Sequence, residues 1–212
     1  KRDWSSDVCS SDLVDHDERR RRIVDALWRL VEREGAGAIS VRSVAAEAGM
    51  PKSTIGHYVG TLPELLALAV QDVVDQTTAQ VLALDLFTLD AEKSVDAFLA
   101  VVPLTPRQRQ RAQVWMLLVA QTSSNEELQP VLHHFNELVF DGILFGLTAM
   151  RNQGLIPAHL DLEIEGRRLH ALVDGLSLQV LTDPEHMTTS RVREIIAVHV
   201  TGIQAASATQ PT

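Results

Sequence analysis

The segment Ser40–Leu66, SVRSVAAEAGMPKSTIGHYVGTLPELL, constrains this fold more than any other stretch. Ser40 is an N-cap residue for a helix whose inner positions are Val44, Ala45 and Ala48. Gly49 can take the left-handed conformation that ends it, and Met50 with Pro51 makes the turn. Lys52–Val59 reads as a second short helix, and Thr61 with Glu64 as the capping box of a third. Two short helices set at a steep angle, the second rich in small polar groups, predict a DNA-reading helix-turn-helix.

A net charge of −9 agrees poorly with DNA binding until it is divided along the chain. His16–Gly60 holds eight Lys/Arg against six Asp/Glu, whereas Thr61–Thr212 holds nine against eighteen. Phosphate attraction acts within a Debye length of ~8–10 Å, so the local balance decides it. The helix-turn-helix thus lies in the only net-basic part, although so small an excess also fits an ordinary solvated face. Arg19–Arg22 at the start of the first helix has the same two readings: phosphate contact, or a solvated turn.

Residues 1–13 are expected to be a non-native tail, because DWSSDVCSSDL at Asp3–Leu13 is what a sequencing-library adapter encodes in translation. The single cysteine, Cys9, falls inside it, so no disulfide, thiolate metal site or cysteine nucleophile is expected. The remainder suffices for a small and a medium domain. No apolar run approaches the ~18 residues of a membrane helix and no secretory segment is visible, which predicts a cytoplasmic protein. Helix formers dominate and Gly and Pro fall between periodic segments, predicting an all-α fold.

Beyond the helix-turn-helix the chain reads as a series of helices. The first spans Asp15–Glu34, with Asp15 and Glu18 as a capping pair and Gly35 as its end. A long helix runs from Leu62 to about Leu84, and a short one occupies Asp90–Val102. Thr105, Pro106 and Gln108 open a helix to about Gln121. Ser124 and Glu127 form a further capping box, with Pro130 delaying the next helix to Val131–Gln153. Gly142 and Gly146 on that helix would let a neighbour approach closely.

Helices at about Asp161–Leu181 and Thr188–Gln204 close the chain, with a frayed tail at 207–212. Leu172 and Leu176 on one, and Val192, Ile196 and Ile203 on the other, supply apolar stripes that read as a dimer interface or as ordinary core. His133, His134 and Glu137, and separately His170 with Asp174, have helical ligand spacing, but no fuller constellation accompanies them and no metal is expected. No catalytic motif, phosphate loop or nucleotide fingerprint is visible, so neither an enzyme nor a cofactor is implied.

VRSVAAEAG, STIGHY, the Gly-Thr step and ELLALAV resemble the TetR family of transcriptional regulators, and LHALVDGLSLQVL at Leu169–Leu181 resembles a penultimate helix of that family. The resemblance implies about nine helices, with 14–61 forming the DNA-binding domain and 62–206 an effector-binding, dimerising domain. It also implies DNA contact by Ser40, Arg42, Lys52, Ser53, Thr54, His57, Tyr58 and Thr61. Tyr58 can also pack its ring on the first helix while its hydroxyl faces out. Three positions depart from the family: Gly56 where an aromatic is common, Val59 for phenylalanine, and Leu62 for a phosphate-binding lysine. Gly56 followed by His-Tyr nevertheless resembles the choline-responsive branch.

The family further implies a cavity for a small-molecule effector, with Trp115, Val119, Phe135, Leu138, Phe145 and His170 as lining or plain core. Asp174 is a polar anchor, able with Trp115 to hold a cation. The expected function is a homodimeric, effector-released repressor bound to a double-stranded operator. The rival is a binding or protein-interaction module of the same fold that has lost specific DNA recognition, motivated by Gly56, Val59 and Leu62.

Overall fold

The computed structural model describes residues 7–82, 90–122 and 125–205. Among these residues are nine helices and no strand. They are α1 (Asp7–Glu34), α2 (Val41–Ala48), α3 (Lys52–Ile55), α4 (Leu62–Leu82), α5 (Ala91–Leu99), α6 (Pro106–Thr122), α7 (Gln129–Asn152), α8 (Leu162–Thr182) and α9 (Thr189–Ala205). No helix among the described residues is long and apolar enough to cross a membrane.

Most boundaries follow caps that are visible in the sequence. Gly35 at φ 82° ends α1, and Gly49 at φ 63° ends α2, a region where a side chain costs about 1–2 kcal/mol. The Thr105 and Gln108 side chains each accept the other's backbone N–H, at 3.2 and 2.9 Å. Asp90 and Asp161 cap α5 and α8, and Thr188 accepts from Arg191 N–H at the start of α9.

Three expectations need correction, and a fourth falls outside the described residues. α1 begins at Asp7, so Asp15 lies within the helix instead of capping it; no Gly or Pro between Asp7 and Glu34 stops the helix earlier. α3 is α-helical only over Lys52–Ile55, after which Gly56 lets the chain tighten into turns joining His57 N–H to Thr54 O and Tyr58 N–H to Ile55 O. α7 starts at Gln129 and takes Pro130 into its first turn, where the missing N–H has no intrahelical partner to lose. Ser124 lies outside the described residues; Asn125 Oδ1 accepts Glu127 N–H at 3.1 Å instead.

The described residues form two compact units, one within 1–72 and 114–128 and the other within 73–113 and 129–212. The domain boundary expected at 61/62 therefore lies inside the first unit. α1 packs on α2 there, and Trp28 Nε1–H donates to Asp72 Oδ2 at 2.7 Å, tying α1 to α4. Ile23, Leu27, Ile55, Leu65 and Leu66 are fully buried.

In the second unit α7 packs on α8, and α5 on both α7 and α9. Leu147, Leu169, Val173, Leu176, Val192 and Ile196 belong to one continuous core. Arg193 of α9 pairs with Asp96 of α5. The close approach of helices occurs at Gly166, not at Gly142 or Gly146. A Cβ at Gly166 would lie 2.9 Å from the Phe140 ring, whereas at Gly146 the nearest atom is 3.7 Å away and at Gly142 nothing is near.

Candidate nucleic-acid interface and effector site

The front of the first unit is built on two caps. Ser40 Oγ accepts Ser43 N–H at 3.1 Å and Ser43 Oγ accepts Ser40 N–H at 3.0 Å, a closed capping box that fixes the first turn of α2. Ser43 Oγ also donates to Ala38 O at 2.8 Å. Ser43 was not singled out from the sequence, because the usual third-position partner is Glu or Gln. At the other end, Glu64 Oε2 accepts Gly60 N–H at 2.6 Å and Thr61 Oγ1 accepts Glu64 N–H, opening α4.

Between these caps α3 is pinned by Ile55 and Val59, 0% and 3% exposed. Valine at position 59 thus still fills the core. With those two side chains turned inward, Lys52, Ser53 and His57 are exposed, and Thr54 is half-buried. Ser40, Arg42 and Thr61 are exposed as well. Tyr58 is half-buried, its ring centroid 4.8 Å from that of His16 on α1. The ring thus packs on α1 while the residue stays partly exposed. Arg20, Arg21 and Arg22 are exposed on α1. Further along α1, Arg29 and Arg33 pair with Glu47 of α2 at 3.2 and 2.9 Å. These bonds hold the Glu47 carboxyl below its ordinary pKa, Arg33 contributing most.

The expected effector residues divide between the units. Trp115 and Val119 belong to the first, and Phe135, Leu138, Phe145, His170 and Asp174 to the second. Trp115, Val119, Phe135 and Leu138 are each half-buried. Phe145 is 51% exposed, which removes it from an enclosed lining: α7 buries Phe140, Ile143 and Leu147 and turns Phe145 outward.

His170 is buried, with Nε2 3.8 Å from Asp174 Oδ2 one turn further along α8. Burial pushes the Asp174 carboxyl above its ordinary pKa, and His170 pulls it back. Phe140 is stacked on the His170 ring with centroids 6.4 Å apart, and the Arg167 guanidinium lies 3.6 Å from the Phe140 centroid. The sequence shows Phe140 only as another apolar position on α7. Its place follows from bare Gly166, whose missing side chain makes room for the ring.

The dimer residues require the largest correction. Leu176, Val192, Ile196 and Ile203 are 3%, 0%, 0% and 5% exposed within this one chain, so they are its own core. Leu172 alone is half-buried, beside a groove between α8 and α9. The large apolar side chains that α8 and α9 do expose are Ile164, Leu178 and Val198.

The family model described as "BetI-type transcriptional repressor, C-terminal" matches residues 90–205, more than half of the chain. The HTH-type transcriptional regulator PksA of Bacillus subtilis (strain 168) is 31% identical over 193 residues, spanning 90% of this chain and 92% of PksA. Among solved structures, a transcriptional regulator from Rhodococcus sp. Rha1 matches with a TM-score of 0.75 at 21% identity, over 91% of this chain and 99% of that one. A regulator from Saccharomonospora viridis in complex with choline gives 0.74 at 24% identity, over 87% and 96%. The model match and the near-full-length relative agree with the capped helix-turn-helix geometry: the chain belongs to the TetR family of transcriptional regulators, with a C-terminal domain of the BetI type.

Proposed function

We propose that this regulator is a homodimeric repressor whose two α2–α3 heads grip a palindromic operator until a small cationic effector releases them. The observation that carries the DNA reading is α3 itself. It is held by the buried Ile55 and Val59 and leaves Lys52, Ser53 and His57 exposed, as Arg42 of α2 is. Lys52 has donors suited to guanine acceptors or phosphate oxygens. Leu62 carries no cation, so affinity for random duplex is low and its salt slope shallow. Two heads reading successive major grooves require half-sites roughly 34–36 Å apart.

Dimerisation is the general habit of TetR-family regulators. In this chain Ile164, Leu178 and Val198 are the large apolar groups on α8 and α9 left exposed for a second copy. For the effector, Asp174 supports a cation: it is a partly buried carboxylate whose charge burial disfavours, so an arriving positive charge restores it. Choline, carried by the Saccharomonospora viridis relative, is a cation of this kind. An effector releases DNA only to the extent that it binds the wide-spaced form more tightly.

Selection of sequences from a random duplex pool at ~150 mM salt tests the reading, since specificity is interpretable only at stated salt. Enrichment of a palindrome, abolished by Lys52→Ala, is the expected result. A folded dimer that enriches nothing would replace this reading with the binding-module alternative, which the four-residue α3 favours.

A further inference from the structure

Tyr58 has no helix to aim it. α3 ends at Ile55, and the chain continues in turns in which Tyr58 N–H and Val59 N–H both reach Ile55 O, at 2.9 and 2.8 Å. These bonds and the buried Val59 fix the backbone around Tyr58 but leave its side chain undetermined. That side chain meets a ring from another element, the His16 imidazole of α1, with centroids 4.8 Å apart and planes tilted by 47°. His16 lies beyond the expected non-native tail at 1–13. Aromatic pairs at such distances are worth about two- to tenfold in an equilibrium constant.

The contact does not serve the core. His16 is exposed and Tyr58 half-buried, whereas α1 fills the interior with Ile23 and Leu27. Arg20, four residues beyond His16 and so on the same face of α1, is exposed as well. The ring pair thus borders an exposed guanidinium, a group that phosphates attract.

We propose that His16 is a positioning residue for operator recognition: its imidazole holds the Tyr58 ring in one orientation for contact with the DNA backbone, in place of the helical turn that Gly56 interrupts. The inference rests on the DNA reading above and adds to it a residue outside the helix-turn-helix. A tyrosine on a turn is free about its side-chain torsions, and ordering it at the moment of binding subtracts from affinity. Held beforehand, it loses little on meeting a phosphate. His16 supplies a flat face without burying the tyrosine, which keeps part of its surface for a partner. Its benefit to DNA binding therefore passes only through Tyr58.

A double-substitution cycle in the full chain tests this, with a duplex enriched from a random pool as the ligand. His16→Ala is expected to weaken binding about threefold, and Tyr58→Ala to weaken it further. The double variant should bind no more weakly than Tyr58→Ala alone. His16→Phe, which keeps a flat ring without a titratable nitrogen, should restore the parent affinity and salt slope. Tyr58 is the single tyrosine of the chain, so carbon-13 labelling of tyrosine reports its ring directly by NMR, without DNA. That signal should move toward the position of free tyrosine in His16→Ala and not in His16→Phe, with helicity unchanged in both.

Independent losses at His16 and Tyr58, or a ring signal that His16→Ala leaves in place, would overturn the positioning role. Loss of affinity in His16→Phe with a salt slope lower by about one would make His16 a direct phosphate contact, and so overturn it too. A pool that enriches nothing would overturn the DNA reading and this proposal together. Each of the other adverse outcomes leaves that reading standing.

Discussion

The stretch from Ser40 to Glu64 and the stretch from Asp161 to Ala205 are both helical, yet they hold their shapes by different means. The first is a set of short pieces fixed end to end by local hydrogen bonds: the Ser40–Ser43 box, the left-handed Gly49, and the Thr61–Glu64 box. Few residues lie between consecutive caps, so each cap has direct control over where α3 points. The second is two long helices with little more than a cap at each start, oriented by burial along their length. A cap is a contact between neighbours in sequence, whereas a buried face is defined only by what lies opposite.

This difference predicts different responses to substitution. The largest effect falls on the long helices: Ile196→Ala in α9, fully buried, costs about 2–5 kcal/mol in chemical denaturation. Val198→Ala two residues on, 69% exposed, leaves unfolding of the isolated chain nearly unchanged. Equal losses at both positions would erase the distinction between core face and free face.

Next come the caps. Gly49→Ala forces a Cβ into a left-handed position and costs about 1–2 kcal/mol. Ser40→Ala removes the box and costs about 1 kcal/mol. Both losses should appear as weaker operator binding out of proportion to the melting temperature, because α3 is aimed from these caps. If DNA affinity falls only as far as folded population does, the local-control account of the head fails.

The smallest effect sharpens the account of the second unit. Burial raises the Asp174 pKa in the fold above its unfolded value, so the fold prefers the protonated acid. That preference is fully expressed below the unfolded pKa and is lost as pH rises through the folded one. Asp174→Asn should therefore stabilise the chain slightly at neutral pH and lose this advantage in acid. The same variant should weaken binding of a quaternary ammonium probe followed by calorimetry. A stabilisation that persists unchanged in acid would remove burial of the charge as its cause.

The helix-turn-helix was legible because each of its signals is chemical and local: a hydroxyl, a glycine, a carboxylate at the right spacing. Ser43 escaped only because its hydroxyl fills a place usually held by Glu or Gln. Lys52 and His57 came only from the family resemblance; the burial of Ile55 and Val59, which leaves both exposed, is a finding of the structure. The second unit was legible as helices but not as faces. Val192 and Ile196 form a stripe whether they meet the rest of the chain or another copy, and nothing along α9 distinguishes the two. Phe140 and Gly166 are far apart in sequence and gain meaning only together, and Phe145 shares the composition of a pocket wall without its position.

By itself, the sequence determined that the chain is helical, where most helices start and stop, and that its net-basic part holds the DNA-reading motif. All three depend on backbone hydrogen bonds and charges within a few residues of one another. Tertiary structure alone decided which apolar stripe became core, which groove stayed open with Glu165 and His199 at its base, and how far burial raised Asp174. Hydrophobic burial and desolvation carry no direction along the chain. They are set by whichever surface packs opposite, and that surface comes from distant sequence.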